Sequence, residues 1–424
     1  MALVYPFRGI RYNKETIGDF QKVVTQPYDK MTPSMQDEYY RCSPFNVVRI
    51  TLNLENRTNP ETRYPDAGSI FLKWIAEKVL LQDSLPAMYA YYQEYAFEGQ
   101  TRLQKGFISL LDLKNSESGI IPHENTLAAP KQDRLRLMRS IEANEDLIYL
   151  LYSDDRLTVN RIMDESISGR PAEIEVKDEY GAVHRVWAIT DPETLRKMQD
   201  SMRSQRLFIA DGHHRFETSI NFMNECREKG WEPAGLESFD KRMVTCFNSV
   251  DGVTILPTHR MIRDLPEFDP GTFLRKIEDH FEAEPVSSAS ALWEKMKKGQ
   301  RDNVFGFYPA TLGKFYFLRL RKNVEADRRL DVSVLHSLLL ERLLGIDESK
   351  LASQAHLDYM RERDLCIKLV DEGKYQAAFF LNPTTAEQMQ QIASRGERMP
   401  QKSTDFFPKL LAGLIFMQMK IAKQ

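Results

Sequence analysis

Five consecutive residues near the middle of the chain combine the side chains that phosphate chemistry needs: Asp211-Gly212-His213-His214-Arg215. Glycine lets the backbone turn tightly and lets a ligand approach the exposed N–H groups. The histidines and the arginine add hydrogen-bond donors, and an arginine can hold two phosphate oxygens at once. The aspartate could orient a histidine, act as a base, or help to hold Mg²⁺ beside the phosphates. The candidate catalytic residues are Asp211, His213 and His214, and the candidate phosphate ligands are Gly212 and Arg215.

The pattern around this cluster places it at the junction of a strand and a helix. The apolar run 206–210 predicts a strand, and residues 213–229 predict a long helix with Phe216 and Met223 in its apolar stripe. The first amides of a helix lack intrahelical partners and carry the positive end of the helix dipole, so they suit an anion. In the alternative interpretation, Asp211 only caps the helix and the histidines are partly buried polar residues. A metal ion held by both histidines is disfavoured, because consecutive residues at a helix start point in different directions.

Two N-terminal segments supply further candidates for substrate binding. Asp29 follows Gln26-Pro27-Tyr28 in a proline-bounded loop, which either brings its carboxylate to the edge of a site or forms an ordinary turn. The β-branched run 46–52 predicts a strand, on which Arg49 would bind an anion or form a surface ion pair.

A polar loop before a predicted helix at 132–143 carries four more candidates. His123 and Glu124 could supply a general acid or base, while Lys131 and Arg134 could meet a carboxylate or a phosphate. The alternative is that these residues form the solvated start of the helix.

The C-terminal half contributes two candidate groups. His259 and Arg260 follow a proline-containing turn and form a candidate cationic pair. Lys402 and Ser403 offer a mobile point charge and a hydroxyl donor, a combination typical of an anion-binding loop. The glycine-rich spacing of a P-loop is missing from this segment. In the alternative interpretation Ser403 is a cap and Lys402 an exposed side chain.

The segment around the central cluster, Ala210–Thr218, resembles the hallmark of a large bacterial family catalogued only as a domain of unknown function (number 1015). Four other segments resemble that family's pattern, and they are Gln26–Asp29, Pro44–Arg49, His123–Leu135 and Met399–Lys409. The resemblance runs from near the start of the chain to about Leu414, so the chain is identified as a member of this family.

The Asp-Gly-His-His-Arg cluster also resembles the phosphate-binding signature of the ParB/sulfiredoxin superfamily, which includes partition proteins, sulfiredoxin and free serine kinases. In the free serine kinases a similar Asp-Gly-His-x-Arg segment contacts nucleotide phosphates and the transferred phosphoryl group. The resemblance implies these roles for Asp211, Gly212, His213 and Arg215, with His214 at the variable position. Sulfiredoxin's reactive cysteine has no counterpart, because His213 follows the glycine, and this disfavours sulfinic acid repair.

Helix and strand patterns alternate along the chain, which predicts an α+β fold with mixed sheets. The resemblance implies a ParB/sulfiredoxin-like core with large insertions. We expect a phosphate-binding portion at 1–250 and a second α+β portion at 251–424 that completes the site. The predicted elements include a hairpin of strands at 87–97 and 103–113, a buried strand at 147–152, a helix at 192–204 begun by Asp191, and a buried helix at 410–419.

The composition disfavours several classes of protein. The 58 Lys+Arg and 61 Asp+Glu residues give a net charge of −3, which is not the footprint of a dedicated nucleic-acid binder. The four cysteines are dispersed, which argues against a disulfide scaffold or a zinc site, and we predict no metal ligands of the protein's own. Apolar runs fall short of the roughly 20 residues of a membrane helix. We therefore expect a cytoplasmic protein with neither nucleic-acid nor membrane partners.

Three hypotheses about function follow. The leading one is a phosphotransfer enzyme, kinase or phosphatase, that acts on a small metabolite. Resemblance to the free serine kinases implies serine and O-phosphoserine, with ATP or ADP as the nucleotide and Mg²⁺ as its ion. The second is a nucleotide-binding regulator of the ParB type without metabolic turnover. The third, a structural protein whose motifs only pack, is disfavoured by the density of charged residues in those motifs.

Overall fold

The computed structural model divides the chain into two compact units. It describes residues 3–53, 62–114, 119–124, 128–300, 302–324, 330–352, 355–400 and 402–423. The first unit comprises Met1–Thr254 together with Pro408–Gln424, and the second comprises Ile255–Phe407. The sequence predicts one division after residue 250, whereas the chain returns to the first unit at Pro408. It returns because Met417–Gln418 pairs with Ala143–Asn144 of that unit.

A mixed sheet organises the first unit, and nine strands belong to it among the described residues. Two of its pairings are parallel and the others antiparallel, which makes the sheet mixed as predicted. In spatial order the strands are Ile120–Ile121, Leu207–Asp211, Ile148–Tyr152, Lys241–Asn248, Gln100–Asp112, Met88–Phe97, Val183–Ile189 and Ile174–Lys177, with Val4–Tyr5 also paired to Gln100–Asp112.

An apolar core forms between this sheet and two amphipathic helices. The helices Thr158–Ile167 and Pro192–Met202 bury Met163 and Met198 against strand residues such as Leu150. The second helix begins as the sequence predicts, because the Asp191 carboxylate accepts a hydrogen bond from the Thr194 amide at 2.8 Å. Burial of apolar side chains therefore fixes the sheet on which the candidate site is mounted.

The first unit contains further helices besides these two. They are Lys14–Ile17, Pro33–Cys42, Val48–Thr51, Arg63–Ala76, Ala128–Ile141 and His213–Glu228, and the single turns Phe20–Lys22 and Tyr28–Lys30 are 3₁₀. Two further small sheets pair Ile10–Tyr12 with Leu80–Gln82 and Glu232–Pro233 with Ile421–Ala422.

The segment 46–52 is helical, so the predicted strand is wrong. Its β-branched residues occupy the short helix Val48–Thr51, and the Asn46 side chain accepts a hydrogen bond from the Val48 amide at 2.9 Å. The Asn46 amide group also donates to the backbone of Lys22 at 2.8 Å. A local cap and tertiary hydrogen bonds thus override a β propensity that is weak on its own.

The apolar segment 410–419 is buried but extended, so the predicted helix is also wrong. Gly413 has φ of 88°, which interrupts any helix there. The segment pairs with the first unit instead, through bridges between Thr25 and Ala412 and between Ile10 and Phe416. Its apolar side chains are buried along with this pairing, and the hydrophobic run therefore does not require a helix.

An antiparallel sheet organises the second unit, and it has six strands among the residues described. In spatial order these are Phe281–Val286, Phe315–Leu320, Val304–Pro309, Ala377–Phe380, His259–Ile262 and Leu357–Met360. The helices of this unit are Pro270–Ile277, Ala289–Lys298, Asp331–Val334, Glu348–Ala352, Arg363–Asp371 and Ala386–Ser394, with a π-helical stretch at Leu335–Leu343. Strand Thr254–Leu256 spans the division between the units, and Asp405–Phe407 ends the second. The α+β class with mixed sheets is confirmed.

Within the parts of the chain that are described, no helix combines the length and the apolar character needed to cross a membrane.

Two glycines with the same backbone angle test how tightly Gly252 packs against the strand Gln100–Asp112. Gly252 and Gly99 both have φ of 75°, but a Cβ on Gly252 would overlap the Leu103 carbonyl oxygen, whereas a Cβ on Gly99 would meet open space. We expect Gly99→Ala to destabilise the protein by about 1–2 kcal/mol through backbone strain. Gly252→Ala should lose roughly 2 kcal/mol more through overpacking. Urea unfolding of both variants measures the difference, and equal losses would contradict the packing described.

Candidate active site

The central cluster lies where the sequence predicts, at the junction of strand Leu207–Asp211 and helix His213–Glu228. Gly212 precedes the helix with φ of 94°, a conformation that favours glycine, and it provides no side-chain cap for the first turn. A Cβ on Gly212 would lie 3.1 Å from Nε of Arg215. The arginine therefore packs directly over the glycine at an uncapped helix start.

The Arg215 side chain is 6% exposed and is fixed by three groups. Its Nη1 donates to the Leu147 carbonyl at 2.6 Å and lies 3.7 Å from Asp146 Oδ2, and its Nη2 lies 3.5 Å from Asp211 Oδ1. Burial by itself lowers the pKa of an arginine, but the carboxylates of Asp146 and Asp211 outweigh it and raise the pKa of Arg215. The site thus holds a permanent, oriented cation.

Asp211 is an anchoring group in this geometry. Its Oδ2 accepts a hydrogen bond from Lys409 Nζ at 2.7 Å. Burial alone would raise the pKa of Asp211, but Lys409 and Arg215 outweigh it and hold that pKa well below its usual range. A carboxylate that binds protons so weakly is a poor general base. Lys409 is a residue that the sequence analysis missed as a site residue, although it lies in the matching segment Met399–Lys409.

A layer of buried charged residues, Glu145, Asp146 and Arg242, lies next to Arg215. Asp146 bridges Arg215 and Arg242, and Arg242 donates to both the carboxylate and the backbone carbonyl of Asp146. The neighbouring Glu145 lies 3.7 Å from Arg134 Nη1. A sequence signal for this layer is the pair of adjacent acids, Glu145 and Asp146, one residue before the buried strand Ile148–Tyr152.

Burial favours the protonated form of Glu145 in this layer. It raises the pKa of Glu145 to about 7, with the Asp146 charge adding to the effect and the Arg134 and Arg242 cations opposing it. Arg242 is 1% exposed, and its Nε and Nη1 have no hydrogen-bond acceptor among the described residues. The layer is therefore held by charge rather than by a full set of hydrogen bonds.

Two histidines that the sequence separates by 90 residues meet in the structure. The rings of His123 and His213 are edge-to-face with centroids 4.5 Å apart, and the His123 amide donates to His213 Nε2 at 3.3 Å. An Nε2 that accepts a hydrogen bond leaves the proton of a neutral imidazole on Nδ1. Glu124 Oε1 lies 3.8 Å from His123 Nε2. Asn125 and Thr126 of the same matching segment lie outside the described residues.

The Gln26–Asp29 segment also reaches the site. Residues Tyr28–Lys30 form a 3₁₀ turn, and the Arg134 guanidinium lies 4.1 Å from the centre of the Tyr28 ring. Burial raises the pKa of Tyr28 to about 12, although the Arg134 cation opposes part of this shift. The negative charge of Asp29 helps to raise the pKa of Arg215, and the positive charge of Lys30 helps to lower the pKa of Asp211. The structure thus brings Asp29 and Arg134 into the same charged neighbourhood as the central cluster.

Two other candidates of the first unit form local contacts. Lys131 Nζ pairs with Glu217 Oε2 at 2.8 Å, on the helix that begins at His213. Arg49 donates from Nη2 to the Tyr40 carbonyl at 2.9 Å and stacks on the Tyr40 ring at 4.4 Å. His214 contributes its carbonyl oxygen to Thr218 Oγ1 at 2.7 Å.

The four C-terminal candidates lie in the second unit, where Arg260 contacts Lys402. Arg260 Nη2 donates to the Lys402 carbonyl at 3.1 Å and lies 3.3 Å from His336 Nε2. Burial lowers the pKa of the adjacent His259 to about 3. Ser403 donates from Oγ to the Pro400 carbonyl at 2.5 Å, and because the next element is the strand Asp405–Phe407, this residue does not cap a helix.

The donor set of the central cluster does not fit a metal ion. The Asp211 carboxylate is neutralised by Lys409 and Arg215, and within the described ranges no group of three or more His, Cys, Asp or Glu could hold an ion. Mg²⁺ prefers oxygen ligands that are free to coordinate it. A magnesium ion brought by a nucleotide stays a prediction. In the central cluster the positive charge comes from Arg215 and Lys409.

Comparison with known proteins gives one family and several distant structures. The model of the family described as "Protein of unknown function (DUF1015)" matches residues 4–333. A comparison with curated proteins finds no significant match. A conserved hypothetical protein from Pyrococcus furiosus is 13% identical, with 74% of this chain and 95% of that chain covered and a TM-score of 0.36. A free serine kinase in complex with AMP is 11% identical, with 74% and 91% covered and a TM-score of 0.38. SbnI with a C-terminal truncation, from Staphylococcus aureus, is 10% identical, with 72% and 85% covered and a TM-score of 0.33.

The raised pKa of Glu145 predicts how the free energy of unfolding depends on pH. Because that pKa is about 7 in the folded protein, the folded state holds the proton more tightly than the unfolded state. The stabilisation is present below about pH 4 and is lost as the pH rises through 7. Glu145→Gln, which mimics the protonated form, should raise the free energy of unfolding by about 1–3 kcal/mol at pH 8 and by little at pH 4.

Urea unfolding at the two pH values measures this effect. Glu142→Gln is the matched control, because Glu142 is a nearby acid whose side chain is 31% exposed and pairs with Lys423 at the surface. An equal effect of Glu145→Gln at pH 4 and pH 8 would contradict a carboxyl that titrates near neutrality.

Proposed function

The chain belongs to the family described as "Protein of unknown function (DUF1015)", and from the geometry of its site we propose that it is a phosphotransfer enzyme acting on a small metabolite. The observation that carries this proposal is the buried Arg215, seated over Gly212 at the uncapped start of a long helix. A helix start and a fixed guanidinium are both suited to phosphate oxygens.

Phosphoryl transfer gains most from positioning and from neutralising the charge of the transferred group. Arg215 supplies a cation that Asp146 and Leu147 hold in one orientation. A charge that is already oriented needs no reorganisation when the transition state forms, which makes it effective. The amides of the first turn would add the partial positive charge of the helix dipole.

The histidines are the groups that would handle the proton. Asp211 is bound to Lys409 and kept ionised, so it would position cations rather than accept the proton. His213 has its Nε2 engaged by the His123 amide, and its Nδ1–H would donate to a phosphoryl oxygen. His214, the next residue of the cluster, would then be the candidate proton acceptor.

Serine and O-phosphoserine are the first substrate pair to test, with ATP or ADP as the partner in transfer. The choice rests on the resemblance of Asp211, Gly212, His213 and Arg215 to the signature of the free serine kinases. The geometry fits a kinase and a phosphatase equally, because both must hold the same phosphoryl group. Hydrolysis would transfer the phosphoryl group of phosphoserine to water, whereas the reverse of a kinase reaction would transfer it to the nucleotide.

A ligand screen followed by turnover assays tests the proposal. ATP, ADP or phosphoserine should raise the apparent melting temperature, since a ligand at 100 times its Kd adds about 2.7 kcal/mol of stability. Arg215→Lys keeps the charge but loses the planar fork, and we expect it to lower kcat/KM by about 100-fold or more. Assays of ATP formation, ADP formation and phosphate release measure turnover in each direction.

Arg227→Gln is the matched control, because Arg227 lies exposed near the end of the same helix. It should leave binding and turnover unchanged. The proposal fails if no phosphorylated compound stabilises the protein, or if Arg215→Lys turns over every tested substrate as the unchanged protein does. Stabilisation by nucleotides without any turnover would favour the regulator of the ParB type instead.

A further inference from the structure

Tyr28 brings to the candidate site a hydroxyl that the described parts of the chain leave without a hydrogen-bond partner. Its side chain is partly exposed, and the hydroxyl oxygen is not one of the unpartnered polar atoms that are sealed from solvent. Tyr39 and Tyr89 of the same unit instead donate their hydroxyl protons to the carboxylates of Glu179 and Asp83. The Tyr28 hydroxyl is therefore available to a ligand.

The neighbouring residues fix the backbone at Tyr28. The buried Pro27 precedes a 3₁₀ turn that begins at Tyr28, and the Lys30 amide closes this turn by donating to the Pro27 carbonyl at 2.9 Å. The Gln26 amide before it is 3.3 Å from the Tyr39 hydroxyl, to which it donates. The Tyr28 side chain therefore starts from an anchored segment.

The ring of Tyr28 is fixed as well, because it lies on the guanidinium of Arg134 at 4.1 Å. That guanidinium is itself held, since it donates to the Asp133 carboxylate at 2.5 and 2.8 Å and to the Thr51 carbonyl at 3.0 Å. A cation–π contact with a fixed guanidinium restricts the ring. The hydroxyl is thus oriented before any ligand arrives, which lowers the entropic cost of binding.

Tyr28 and Arg215 are neighbours at the candidate site. Arg134, on which the Tyr28 ring lies, is 3.7 Å from Glu145, and the adjacent Asp146 is 3.7 Å from Arg215 Nη1. The pKa of Arg215 is shifted by its burial, by the nearby carboxylates and also by Tyr28. Arg215 in turn opposes the rise that burial causes in the pKa of Tyr28. Such interactions weaken with distance, so they agree with the chain of contacts.

We propose that Tyr28 is a phosphate-contacting residue, whose hydroxyl donates a hydrogen bond to the phosphoryl group that Arg215 binds. The inference rests on the proposed function, because it assigns a further contact to the same site. Burial raises the pKa of Tyr28 to about 12, so the hydroxyl keeps its proton at neutral pH. An O–H group that donates to a charged oxygen forms one of the stronger hydrogen bonds. Arg215 and Tyr28 would thus hold the phosphoryl group from two separate segments of the chain.

Tyr28→Phe tests this contact, because it removes the hydroxyl and keeps the ring that lies on Arg134. Inorganic phosphate is the probe, and calorimetric titration of the full chain at neutral pH measures its Kd. We expect the variant to bind phosphate about 10-fold more weakly, the loss of one hydrogen bond to a charged group. Phosphoserine should lose the same factor, because the contact is to the group that both ligands share. Urea unfolding of the free protein should be unchanged, since the variant loses no contact within the described protein.

Tyr5→Phe is the matched control. Tyr5 is also a partly exposed tyrosine of the first unit with a cation over its ring, because Lys241 Nζ lies 5.8 Å from the ring centre. This variant should bind phosphate as the unchanged protein does. Arg215→Lys is the reference for a weakened site, and it should lower phosphate affinity at least as much as Tyr28→Phe does.

Three results with the variants would overturn the inference: unchanged phosphate binding by Tyr28→Phe, an equal loss in Tyr5→Phe, or a marked loss of stability in Tyr28→Phe, which would assign the hydroxyl a structural role. An unchanged protein that binds no phosphate would overturn it too, while turnover of phosphoserine would still support the proposed phosphotransfer. Weaker phosphate binding by Tyr28→Phe without turnover of any substrate would support the contact and count against phosphotransfer. The two failures are therefore distinguishable.

Discussion

The buried pairing of Arg215 with Asp146 is the interaction on which the central cluster depends. A guanidinium taken out of water is costly unless a carboxylate and further hydrogen-bond acceptors surround it. Asp146, Asp211 and the Leu147 carbonyl supply them, so the helix that begins at His213 can keep a cation at its start. Removal of Asp146 would take a carboxylate from two buried guanidinium groups, those of Arg215 and Arg242. The layer below the helix is therefore as necessary to the site as the motif that the sequence displays.

The sequence was a good guide where one short motif determines both conformation and chemistry. The strand, the glycine turn and the helix around Gly212 follow from local rules, and all three are confirmed. The α+β class follows from alternating patterns, and the matching segment of His123 does meet His213. Local rules failed for 46–52 and 410–419, because contacts with distant strands and turns decide the conformation of both segments. Glu145, Asp146 and Arg242 were missed because pairing between them depends on the sheet order, which residue spacing does not reveal.

The segment from Gln26 to Lys30 links the central cluster to the carboxylates of Asp178 and Glu179. The Gln26 side-chain amide donates hydrogen bonds to Asp178 and Glu179. Four residues later, the positive charge of Lys30 helps to lower the pKa of Asp211. Lys409 makes a second link, since its carbonyl accepts a hydrogen bond from Gln93 while its ammonium binds Asp211. Gln93 in turn contacts His184, which lies against Asp178. Hydrogen bonds together with the Lys409 side chain thus connect the Asp178 carboxylate to the central cluster within one unit.

The return of the chain at Pro408 has a consequence for how the protein is made. Lys409, which binds Asp211 of the central cluster, belongs to the first unit but follows the whole second unit in the sequence. On the ribosome the first unit therefore waits, lacking a buried lysine and the partner of strand Ala143–Asn144, until about 150 further residues have been translated. The central cluster therefore stays incomplete on a nascent chain until Lys409 has been translated and can reach Asp211.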